Sequence, residues 1–229
     1  MEKKSVQDVG QRGPYLRALR MTLSLRFGRS QLVIRYGKTD DNDEMGYNPR
    51  KAAQVIAYYA LKTGEGSIDF IKAIKLVYLG DRERVARWGE PILNEPRVAL
   101  PNGPANDLTY AYAKGDRKDP EGWSAFLEDR RGNTLCLKPG VSVEDLDELS
   151  EIDMESLDAV WNRVGFMRPM ALCGWTHKGN NVPEWKDPEG SSRPIPLERM
   201  MEAVGVTNPS QSAVQFEQRR SLAEILGDK

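Results

Sequence analysis

Residues 48–89 carry two runs of apolar side chains at helical spacing, separated by one glycine-rich turn. Asn48-Pro49 marks the start of the first. Asparagine accepts a hydrogen bond from a backbone N–H left free at a helix start, and proline's missing N–H costs nothing there. Ala52, Ala53, Ile56, Tyr59 and Ala60 then fall on one face, and Gly64 stops the helix. Ser67 is expected to open the second helix, with Phe70, Ile71, Ile74, Val77 and Tyr78 turned inward and a stop at Gly89. Burying each large side chain of these stripes is worth roughly 1.5–3 kcal/mol, well above any surface ion pair. At 229 residues the chain is long enough for one sizeable core, or for one domain with appendages.

Residues 91–104, punctuated by four prolines, predict an extended loop. A short helix follows from Ala105 to about Lys114. Trp123–Asp129 and Thr134–Lys138, joined by Arg131-Gly132-Asn133, predict a β-hairpin. Ser150 caps a helix from Glu151 to Val164, striped by Ile152, Met154, Leu157, Val160, Trp161 and Val164. Further helices are expected at Pro169 to about His177, Pro196–Val204 and Ala213–Leu226. The fold class is therefore mainly α (α+β): a compact helical domain with a small β-hairpin and a basic N-terminal extension. The expected division is an arm and acidic linker at 1–46, a domain at 47–190 and a C-terminal helical extension at 191–229.

The net charge of -1 conceals a segregation. Residues 1–38 hold nine Lys or Arg against Glu2 and Asp8, a net of +7, and residues 40–44 then read D-D-N-D-E. Residues 144–158 hold eight acids and no base. Such separation suits electrostatic steering or an interface, and equally a solvated tail and a solvated helix start. Within the arm Leu16, Leu19 and Leu23 recur at helical spacing beside Arg17, Arg20 and Arg26, and Gln31–Tyr36 reads as a short strand.

Chemistry is poorly represented. His177 is the single histidine, and with Cys136 and Cys173 it completes the soft-ligand inventory, one short of a closed structural zinc site. Two cysteines make no disulfide framework and read as unpaired thiols of a reducing compartment. No phosphate-binding glycine motif occurs, and Gly64-Glu65-Gly66 is explained by a turn. No catalytic residue, metal or cofactor is expected. No run approaches the ~18 apolar residues of a membrane span, and the early arginines interrupt any secretory signal, so a cytoplasmic location is expected.

Several segments in order carry more information than any motif alone: K-A-A-Q-V-I-A-Y-Y-A from Lys51, I-K-L-V-Y-L-G-D-R-E-R from Ile74, V-A-L-P-N-G-P-A from Val98, and L-S-E-I-D-M-E-S-L-D-A-V-W from Leu149. L-C-G-W-T-H-K from Leu172 and P-E-W-K from Pro183 follow. Over about residues 49–188 this pattern resembles the SocA-like, or Panacea, antitoxin domain. The resemblance implies a small, mostly helical fold and the antitoxin half of a bacterial or phage toxin–antitoxin module. Members of that family neutralise toxins of unrelated kinds by direct contact, some of them translation-inhibiting. The partner implied is a cognate toxin encoded by the adjacent gene.

Partner-binding candidates follow from both readings: Arg17, Arg20, Leu23 and Arg26 in the arm, and Lys75, Asp81, Arg82, Asn102, His177 and Trp185 in the domain. Lys75, Asp81 and Arg82 either form a local ion-pair network or face the partner. Trp185 reads as a packing anchor, and Gly103-Pro104 as a fixed turn. A nucleic-acid-binding regulator using the basic arm and an adaptor delivering a partner to a protease are the alternatives.

Overall fold

The computed structural model describes residues 46–119 and 121–226. The expectations for the arm, a helix around Leu16–Leu23 and a strand at Gln31–Tyr36, lie outside those residues. Helix α1 (Pro49–Lys62) begins as its sequence requires, with Asn48 Oδ1 accepting from the backbone N–H of Lys51 at 3.0 Å. Every residue from Ala52 to Ala60 is buried, so α1 is surrounded rather than laid on a surface.

The second helix starts later than its apolar spacing suggests. Ser67–Asp69 form strand β1, and α2 (Phe70–Trp88) is capped by Asp69, whose carboxylate accepts from Lys72 N at 3.1 Å. Serine and aspartate are comparable caps, and the tie is broken by tertiary pairing. β1 lies antiparallel to β4 (Thr134–Cys136), with Ile68 opposite Leu135 and both side chains buried. Gly89, at φ 77°, ends α2 as expected.

The proline-rich stretch is a hairpin rather than a loop. β2 (Arg97–Leu100) and β3 (Gly103–Asn106) pair antiparallel with Leu100 opposite Gly103, and β5 (Arg193–Pro194) joins the other side of β2. The prolines stand where strands tolerate them: Pro101 in the connection, Pro104 and Pro194 on the two outer strands. The hairpin expected at 123–138 is only half present. The tight turn Arg131–Thr134 and a bridge between Leu127 and Leu137 are there, but Trp123–Phe126 form a single helical turn, α4. That turn buries Trp123, Phe126 and Leu127 together, which an alternating strand cannot do.

The remaining helices are α3 (Asp107–Lys114), α5 (Glu151–Val164), α6 (Pro169–Thr176), α7 (Leu197–Ala203) and α8 (Pro209–Leu226). Mainly helical, with small antiparallel sheets, the described residues match the expected class. α5 begins in a capping box in which Ser150 and Asp153 each satisfy the other's backbone N–H. It packs closely on α2 because residue 80 is glycine: a Cβ there would stand 2.7 Å from Leu157 Cδ2. The acidic run before and within α5 is largely answered by α1 and α2. Asp153 pairs with Lys51 at 2.9 Å and Arg84 at 3.2 Å, Asp147 with Arg50 at 3.0 Å, and Glu148 accepts from Asn48 at 3.0 Å. One core gathers Tyr59, Tyr78, Leu157 and Leu172 with Met200 and Met201 of α7, all fully buried. Among the described residues no helix is long and apolar enough to cross a membrane.

Candidate partner-binding site

The β2–β3 turn is held by its carbonyls. Trp185 Nε1 donates to Leu100 O at 3.2 Å, Cys173 Sγ to Asn102 O at 3.2 Å, and Lys75 Nζ to Pro104 O at 2.7 Å. His177 Nε2 lies 3.1 Å from Pro101 O, and because a carbonyl only accepts, Nε2 carries the proton. The His177 and Trp185 rings pack against one another at a tilt, with centroids 4.4 Å apart. Four side chains from α2, the end of α6 and the following loop thus fix one two-residue turn, leaving Pro101 and Asn102 exposed at its tip.

Local sequence explains why the turn can sit so close. Gly103 has φ 93°, and a Cβ there would stand 2.6 Å from Thr176 Oγ1 and 3.3 Å from Lys75 Nζ. Any other residue pushes the tip away from α2 and α6.

Two buried polar clusters support the turn from below. Asp81 accepts from the backbone N–H groups of Ile92 and Leu93 at 3.0 and 2.9 Å, and from Asn106 Nδ2 at 2.8 Å. Arg97 Nε stands 3.7 Å from the same carboxylate. Burial pushes the Asp81 carboxyl up, and Arg97 with the three donors pulls it back. Glu95 accepts from Thr109 N at 2.8 Å and from the Thr109 hydroxyl, which also bonds Tyr47 at 3.2 Å. In the second cluster Glu184, itself 1% exposed, accepts from Tyr78 at 2.9 Å and Arg82 Nε at 2.7 Å. Burial drives the Tyr78 phenol well above its ordinary pKa, so it remains a donor.

Beside the turn lies a cavity of about 160 Å³ walled by Phe70, Ile71, Ile74 and Leu100, with Lys75, Asn102 and Tyr110 as its polar lining. Burial lowers the Lys75 ammonium pKa to about 8, which leaves it charged at neutral pH. An apolar groove of about 740 Å³ between α7 and α8, lined by Leu197, Ala213, Val214 and Leu222, involves none of these residues.

The structure therefore places the six domain candidates around one hairpin, in different capacities. Asn102 is exposed at the tip, His177 and Trp185 clamp it half-buried, and Lys75 lies beneath it. Asp81 and Arg82 take the ion-pair alternative, turned inward to Asn106 and Glu184. Arg17, Arg20, Leu23 and Arg26 lie outside the described residues. Sequence reading missed Cys173, Thr176, Glu184 and Tyr110. Glu184 and Thr176 stand inside quoted segments, while nothing local marks Tyr110. Among the described residues no cluster of His, Cys, Asp or Glu is arranged to hold a metal ion.

Residues 74–186, which supply all four clamping side chains and the turn itself, match the family model for the antitoxin SocA-like, Panacea domain. The chain carries a Panacea domain. Neither a curated protein nor a solved structure matches it. The match opens inside α2, so the Lys51–Ala60 segment included in the resemblance precedes it. Physically α1 is nonetheless inseparable from the Panacea domain, since Tyr59 and Ile56 are buried in the same core as Tyr78 and Leu157.

Proposed function

We propose that this protein is the antitoxin of a two-gene toxin–antitoxin module of bacterial or phage origin. It neutralises its toxin by direct protein–protein contact in the cytoplasm, with no chemistry of its own. The family match over residues 74–186 carries this reading. The geometry supports it: four of the quoted segments, those of Lys75, Asn102, His177 and Trp185, meet at one exposed turn held by side chains from elsewhere in the fold, and pre-organised surfaces lose little entropy on binding. A translation-inhibiting enzyme is the class of toxin proposed.

The test is genetic. The gene adjacent to this one, expressed alone, is expected to arrest growth, and co-expression of this protein to restore it. A neighbour that is harmless, or toxic regardless of this protein, defeats the reading. The complex is expected to survive a rise in salt from 50 to 200 mM with little loss. A binder of nucleic acid through several phosphate contacts loses affinity by about 10³–10⁵ over that range.

A further inference from the structure

Lys75 is a buried cation without a counter-ion. It is 2% exposed, and among the described residues its hydrogen bond runs to a carbonyl, Pro104 O, while no carboxylate pairs with it. An ammonium has three hydrogens to place, so that single bond leaves it under-satisfied. The cavity at its side has an unusually one-sided lining. The polar residues of its wall are Lys75, Asn102 and Tyr110, and no acid is among the residues that line it. Among the described residues neither the Asn102 amide nor the Tyr110 hydroxyl hydrogen-bonds to another side chain. Arg130, stacked 4.6 Å over the ring of Phe70, brings a second cation to the neighbourhood. At about 160 Å³ the cavity lies below the ~300–1,000 Å³ of small-molecule sites and has room for one inserted side chain.

We propose that this pocket receives an acidic side chain of the toxin, its carboxylate on Lys75 and its methylenes against Ile71, Ile74 and Leu100. A glutamate or aspartate supplies the missing counter-ion and acceptor, and the apolar wall excludes water from the pair, which strengthens it. Anchors of this kind, one side chain in a desolvated pocket, dominate the energetics of many interfaces. The occupant rests on the antitoxin function proposed above, whereas the pocket's taste for carboxylates does not.

Two measurements separate the two. First, butyrate is titrated into the full-length protein with isoleucine methyls observed by NMR. The Ile71 and Ile74 signals are expected to shift saturably, at least about tenfold more weakly with butyramide, and not at all in Lys75→Met. Second, Lys75→Met, melting like the wild type, is expected to need about tenfold more protein to rescue growth from the co-expressed neighbouring gene. Should Lys75→Met melt early, the pair Asn102→Ala and Tyr110→Phe, which spares the buried amine, is expected to weaken both readouts. No butyrate binding, or binding indifferent to Lys75, overturns the pocket even for a genuine antitoxin. Full rescue by Lys75→Met overturns the toxin as occupant. A harmless neighbouring gene removes the toxin altogether while leaving the butyrate result to stand.

Discussion

Glu95 is a buried carboxyl. Burial raises its pKa from 4.5 to about 7, against the opposing hydrogen bonds from Thr109 and Asn106 and with a further push from Asp81. Between those two values the folded protein keeps a proton that the unfolded chain has released, so stability falls as pH rises from about 4.5 to 7 and levels off above. The shift corresponds to about 3 kcal/mol of stability lost across that window. Glu95→Gln retains an acceptor for the Thr109 N–H without the charge. Urea unfolding from pH 4.5 to 8 is expected to show a flattened slope for this variant, and a gain of about 1–3 kcal/mol at pH 8. A wild-type profile that rises through the same window contradicts the assignment of the proton to Glu95. Asp153 shows the opposite balance: burial pushes it up, but Lys51 and Ser150 outweigh that and hold it below the usual carboxylate range.

The β2–β3 hairpin depends on one residue without a side chain. Gly103→Ala has to adopt a positive φ and to displace Thr176 Oγ1, so a loss of about 2–3 kcal/mol is expected in urea unfolding. The variant is also expected to rescue growth poorly, because the tip moves off its clamps; normal stability with normal rescue dissociates the turn from function. The same element shows where sequence reading stops. α1 and α5 are legible because a helix writes its caps and its buried face into residues three and four apart, whereas the helix expected from Ala105 starts only at Asp107, since Ala105 and Asn106 belong to β3. Strands of three or four residues write almost nothing. Apolar spacing alone merges β1 with the helix after it, because Ser67 caps as well as Asp69 does, and only Leu135, far along the chain, decides between them. The prolines of 91–104 announce a loop unless β5 is known to lie alongside β2. The clamps on the turn join residues 71, 76 and 85 positions apart, beyond any local period. The resemblance nevertheless singles out Asn102, His177 and Trp185, without the geometry that unites them.

At the scale of the molecule, the core side chains gathered among the described residues run from Ala52 to Met201. Deleting residues 1–44 is therefore expected to leave a domain that melts cooperatively, while the loss of Arg17, Arg20, Leu23 and Arg26 weakens neutralisation. Thermal melts and toxin pull-downs on the truncated protein check both halves. A truncation that fails to fold places the boundary wrongly, and one that neutralises fully removes the arm from the mechanism. The docking of α7 on α2 has a consequence for how the protein is made. Met200 trails Leu79 by about 120 positions. At a ribosomal pace of about 5–20 residues per second, α2 waits roughly 6–24 seconds for α7 to be synthesised. Throughout that interval the nascent chain presents an unfinished apolar wall. A message cut anywhere before the codon for Met200 leaves the wall open for good, a form that chaperones hold and proteases clear.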